Sequence, residues 1–224
     1  MMTRIAAALS LVLLLVTPLP ADRQREVEQV KNATEVFTQV MNIPDKAIPR
    51  ELLSRAECVV IVPSMKKGAF VVGAHYGRGL VVCRKENRQW GPPSMLTMTG
   101  GSFGIQAGGQ IIDVIMLVMN KKGINVLVGD KFTLGGDASV AAGPLGRATS
   151  AETNAAMRAE LLTYSRARGL FAGVSLKGAV VKPDNDANRD LYNREISARV
   201  ILLEGRVGTP PEAQPLISAL AKYR

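Results

Sequence analysis

The stretch from Trp90 to Arg147 constrains this chain more than any other. It reads WGPPSMLTMTGGSFGIQAGGQIIDVIMLVMN and, after a short polar break, KFTLGGDASVAAGPLGR. Glycine recurs there between small and β-branched residues. A glycine inside a strand marks a bulge, a sharp bend or a close backbone approach, and it brings no chemistry of its own. The stretch holds no His, no Cys and almost no acid. This pattern predicts a folded binding module rather than an enzyme.

The flanks read differently. Residues 22–41 predict a helix, because Val27, Val30, Ala33, Phe37, Val40 and Met41 recur at three- and four-residue spacing. Arg23, Arg25, Glu28, Lys31 and Glu35 fall on the other face. Such a helix packs on a core or lies in a membrane interface, and its mixed charges favour the core. Pro49 opens a short helix through ELLSRA. Three strand-like runs follow, CVVIVP, AFVVGAHY and LVVCRK, separated by SMKKG and GRG, which reads as an antiparallel meander. Further strands are expected around SMLTMT, FGIQAGGQ and IDVIMLVMN. Asn120–Gly123 reads as a polar turn, and KFTLGGDASVAAG as a strand pair. Residues 150–161 are helix-compatible, LFAGVSLKGAVVKPD is strand-like, and NDANRDLYN is a short helix or turn capped by Asp184 or Asp186. The tail predicts a helix presenting Leu216, Leu220 and Tyr223. Strands at the centre and helices at the ends predict an α+β fold: an antiparallel, glycine-rich sheet, sandwich or barrel-like, with N-terminal and C-terminal helices.

With 224 residues the chain has room for one domain with a real core. Residues 1–21 have a signal-peptide layout: Arg4, an apolar run from Ile5 to Val16, then TPLPA. The expected organisation is a signal peptide at 1–21, an amphipathic helix region at 22–48 and a lipid-binding domain at 49–224. Removing residues 1–21 leaves 27 basic and 19 acidic residues, a net charge of +8. A basic exported chain favours anionic lipid, acidic polysaccharide or nucleic acid. Aromatic residues at only 4%, with no nucleic-acid motif, argue against nucleic acid. Export permits a Cys58–Cys83 disulfide, while two buried thiols in strands fit the sequence equally well.

Catalytic constellations are missing. His75 is the only histidine, in the strand-like VVGAHYG, and reads as structural or surface. One His and two separated Cys do not make a zinc site. There is no GxSxG, no phosphate-binding loop and no dinucleotide fingerprint. Asp184, Asp186 and Asp190 lack the glycine of a calcium loop. Asp113, inside an apolar run, either faces solvent or pairs with a base. No enzyme activity, cofactor or metal is therefore expected.

Taken in order, AECVVIVPSMKKGAFVVGAHYGRGLVV, WGPPSMLTMTGGSFGIQAGGQIIDVIMLV, FTLGGDASVAAGPLGR, YSRARGLFAGVSLKGAVV and ANRDLY resemble the SYLF domain family across roughly Pro49 to Leu203. This is the lipid-binding module also found in yeast and animal endocytic actin regulators. The resemblance implies a compact domain whose eukaryotic members bind phosphoinositides, in some cases actin filaments, with no established catalytic residues. An exported bacterial member would meet the anionic lipids of the cell envelope instead, in the periplasm or outside the cell, and actin is not expected as its partner. An envelope protein is the alternative partner, with the chain as a scaffold. The candidate lipid contacts are Lys66 and Lys67 between two strands, Arg78 in the next turn, and Arg84, Lys85 and Arg88 before Trp90. Each base near an anionic surface is worth about 1 kcal/mol. Trp90 is either an interfacial anchor or a core residue.

Overall fold

A computed structural model of the chain describes residues 21–44, 47–69, 72–103, 108–146, 158–167, 170–171 and 176–223. The expected signal segment and most of the expected helix at 150–161 lie outside these residues.

Four long strands carry the fold: β1 (Cys58–Ala69), β2 (Val72–Arg84), β3 (Trp90–Phe103) and β4 (Gly108–Val118). Five shorter ones follow: β5 (Phe132–Thr133), β6 (Val140–Ala142), β7 (Leu161–Ala167), β8 (Leu170–Phe171) and β9 (Val180–Pro183). Among the described residues they form one sheet in the order β5-β9-β3-β2-β1-β4-β7-β6, with β8 beside β7. Every pairing is antiparallel except β6 with β7. This is the expected α+β class. A single open sheet realises the barrel-like alternative rather than two stacked sheets.

Both faces of the sheet centre are buried, which explains the unbroken apolar run CVVIV. Val59 and Ile61 join one cluster, while Cys58, Val60 and Val62 join the other, as the period-2 alternation of a strand requires. The first face is covered by α1 (Ala21–Met41), α2 (Arg50–Arg55), α4 (Asn185–Tyr192) and α6 (Gln214–Ala221), with Phe37, Leu52, Leu191 and Leu216 in the shared core. The second is covered by α3 (Lys121–Leu127) and by Phe132, Leu134, Leu176 and Ala179. A further short helix, α5 (Ala198–Leu202), starts at Ser197, whose Oγ accepts from Val200 N. Leu216 and Leu220 are buried as expected, and Asp184 caps α4 by accepting from Ala187 N.

The structure corrects several readings. SMKKG and GRG do not separate strands, because β1 and β2 run through them. Pro63 and Ser64 form a β-bulge: the register of β1 against β4 shifts between Val62 and Met65, and Ser64 sits at φ 49°. Asp113 lies opposite the bulge. It accepts from Ser64 N at 3.0 Å and pairs with Arg166 at 2.7 Å, which settles its role as a structural anion. Gly79 lies where the bulged strand presses on β2: a Cβ there would overlap Ile61 O and the Val62 backbone. Lys66 and Lys67 therefore sit inside β1 rather than at a turn, and Arg78 sits inside β2. Asn120 is the N-cap of α3, accepting from Gly123 N, rather than part of a turn. β5 and β6 do not pair with each other. Tertiary contacts place them at opposite ends of the sheet. Cys58 and Cys83 are direct cross-strand partners and are joined as a disulfide.

Candidate functional site

The structure distributes the six candidate bases over three places. Lys66 and Lys67 lie at one end of the sheet, Arg78 lies under α1, and Arg84, Lys85 and Arg88 lie around the β2–β3 turn at the other end. Some twelve residues of β2 separate the two ends, about 40 Å of extended chain.

Arg78 is committed to the fold. Its Nη2 donates to both oxygens of Glu26 at 2.8 Å, and Asp184 Oδ2 lies 3.6 Å away. Glu26 is fully buried on α1, and Gln29 from the same helix donates to Arg78 O at 2.7 Å. Arg84 is also structural. It is 8% exposed, stacks 4.0 Å over the Trp90 ring and donates to the carbonyls of Ala56, Arg88, Leu53 and Tyr223. Trp90 is itself 5% exposed, so it is a core residue and not an interfacial anchor. Arg88 pairs with Glu57 at 2.8 Å.

Lys66 and Lys67 stand differently. Among the described residues neither makes an ion pair. The register places Lys66 between Tyr76 on β2 and Ile111 on β4, with Thr99 beyond Tyr76 on β3. Tyr76 is 50% and Ile111 61% exposed, two of the four large exposed hydrophobic side chains among the described residues. The next row on this face is Gly101, Ala74, Gly68 and Gly109. Added side chains at Gly68 and Gly109 would meet nothing within 4 Å. Helix α1 crosses the same face only as far as Arg78 at one strand and Arg166 at another, the latter through Gln39. The rows beyond are bare. No acidic residue occurs in the sequence from Lys66 to Gly77 or from Thr97 to Ile112. This end of the sheet is thus flat, cationic and studded with two apolar side chains. Sequence reasoning found its lysines but missed Tyr76 and Ile111, which only strand register brings together with Lys66.

On the opposite face of this end sits His75, paired across the strands with Lys67 and Gly100. It is 6% exposed, and its Nε2 has no hydrogen-bond partner. Burial, and secondly the charge of Lys67, lower its pKa below the ordinary value. The native state therefore binds fewer protons than the unfolded chain once the pH falls below about 6.5, and stability falls with pH through that range. His75→Gln should flatten this slope in chemical denaturation run between pH 7.5 and pH 5. An unchanged slope would show that His75 does not contribute it.

The second end holds a cleft of about 930 Å³ whose wall includes Arg84, Lys85 and Arg88. Among the described residues no group of three or more His, Cys, Asp or Glu is placed to hold a metal ion. No helix of the described residues is long and apolar enough to cross a membrane.

Comparisons with known proteins point one way. A family profile described as "Ysc84: Las17-binding protein actin regulator" matches residues 99–223. A fission-yeast relative, SH3 domain-containing protein PJ696.02, is 35% identical over 208 residues, covering 91% of this chain and 48% of its own length. The human SH3 domain-containing YSC84-like protein 1 is 34% identical over 211 residues, covering 92% and 60%. Protein YSC84 of baker's yeast is 31% identical over 208 residues, covering 91% and 44%. The chain thus spans roughly half the length of these relatives.

Proposed function

Because this chain belongs to the Ysc84 family, the SYLF domain family, we propose that it is a non-enzymatic module that binds anionic lipid surfaces. The observation that carries the reading is the uncovered end of the sheet, where Lys66 stands between exposed Tyr76 and Ile111. Lysines without carboxylate partners keep their charge available for phosphate headgroups. A tyrosine and an isoleucine beside them suit the boundary between headgroup and acyl chain. The bare glycine row lets the sheet approach a flat surface closely. We place the chain in the cell envelope of a bacterium, exported by its N-terminal segment. The Cys58–Cys83 bridge suits an oxidising compartment and supports that placement.

Lys66→Glu with Lys67→Glu removes about 2 kcal/mol of attraction before any new repulsion is counted, roughly 30-fold in affinity. Co-sedimentation with vesicles containing phosphatidylglycerol should show a loss of at least that size, while the thermal midpoint stays near that of the parent chain. Equal binding by the two proteins would sink this surface as the contact.

A scaffold for envelope proteins is the second reading, favoured by the same exposed face. It predicts capture of a protein partner that tolerates salt and ignores lipid.

A further inference from the structure

The cleft at the opposite end of the sheet is built from four segments distant in sequence. Glu57 follows α2, residues 83–88 and Gly91–Pro92 bracket the β2–β3 turn, Lys121 and Asn125 come from α3, and residues 201–205 close the wall after α5. Its volume of about 930 Å³ falls within the range of small-molecule sites, roughly 300–1,000 Å³.

Charge on the wall is unbalanced. Glu57 is engaged by Arg88 at 2.8 Å and Glu204 by Arg206 at 3.5 Å. That leaves Glu86 as the wall carboxylate with no ion pair among the described residues. Against it stand Lys85 and Lys121, which also make none, and Arg84. The Arg84 guanidinium is more than nine-tenths buried and gives hydrogen bonds to four backbone carbonyls. A cation held on neutral carbonyls keeps a positive potential that an anion entering the cleft would feel. The wall has an apolar side as well. Leu203 is 44% exposed, one of the four large exposed hydrophobics among the described residues, and it lies here with Ile124 and Pro92. The helix-covered core does not need Leu203 in that position.

We infer that this cleft binds a single-chain amphiphile with an anionic head, the head between Lys85 and Lys121 and the chain against Leu203 and Ile124. The site is separate from the Lys66 surface and holds one molecule, not a membrane.

The test is calorimetric titration of the chain with dodecyl phosphate below its micelle concentration, with Trp90 emission followed in parallel. Trp90 is the only tryptophan, and the two residues after it line the cleft. Dodecyl maltoside and inorganic phosphate are the controls. Saturable binding of dodecyl phosphate alone, weakened at least tenfold by Lys85→Glu with Lys121→Glu and again by Leu203→Asp, supports the site. Lys66→Glu with Lys67→Glu should leave this binding unchanged, which separates it from vesicle binding. Four results would overturn it: no saturable heat or emission change, equal binding of dodecyl maltoside, equally tight binding of inorganic phosphate, or indifference to both cleft variants.

Discussion

Replacing Glu26 by alanine should lower the unfolding free energy by about 3 kcal/mol. Glu26 is fully buried, and both its oxygens accept from Arg78 at 2.8 Å, with Arg25 Nε donating at 3.0 Å. This carboxylate joins the start of α1 to the middle of β2. Its removal leaves the partly buried Arg78 facing only Asp184 at 3.6 Å. The cost comes from the stranded cation, not from lost attraction alone, because a buried pair replaced on both sides by apolar groups is often neutral. Glu26→Leu combined with Arg78→Met should therefore recover most of the loss. Urea denaturation of the single and double variants measures this directly. A single-variant loss under about 1 kcal/mol, or a double variant no better than the single one, would show that the pair does not anchor α1 in this way.

Gly79→Ala should cost a similar amount, about 3 kcal/mol, the upper end for overpacking a tight core. A methyl at this position overlaps Ile61 O and the Val62 backbone, and neither can swing away as a flexible side chain would. Relief would require β1 and β2 to separate beside the bulge at Pro63–Ser64, where β1 also holds the Asp113–Arg166 pair. Gly68→Ala is the control. It lies on the same two paired strands, in open space, and should change stability by less than about 0.5 kcal/mol. Equal thermal midpoints for the two variants would contradict the packing described for β1 and β2.

What was legible in the sequence follows from how local each signal is. The faces of α1 and α6 were readable because helical periodicity is written in neighbouring residues. The cap at Asp184 was readable for the same reason. Strand boundaries failed at PSMKKG and GRG, where proline, serine and glycine looked like turn residues. They instead mark a bulge in β1 and the close approach of β2, so the same residues mean punctuation in one context and packing in another. Asp113 was noticed, but its partner Arg166 lies 53 residues away. Glu26 was not noticed at all, since the arginine that holds it lies 52 residues on.

The candidate site shows the same division. Charge alone selected six bases, and the fold engages Arg78, Arg84 and Arg88 in ion pairs or carbonyl contacts. Lys66 and Lys67 remain available for a ligand. The exposed position of Ile111 had a sequence signal: it shares strand parity with Asp113, so it faces away from the side that buries Ile112 and Val114. Tyr76 had none, because its place beside Lys66 depends on a register that the bulge shifts. Leu203 and Lys121 meet in the cleft only after the whole chain has folded.

The central claim is that this chain binds anionic lipid through electrostatic and interfacial contact. Co-sedimentation of the chain with phosphatidylcholine vesicles and with vesicles carrying added phosphatidylglycerol, each at low and high salt, tests it most directly. The account predicts binding to the anionic vesicles that weakens as salt screens the lysines, and little binding to the neutral ones. Absence of binding to either vesicle, or equal binding to both at every salt concentration, would contradict it and move the scaffold reading to first place.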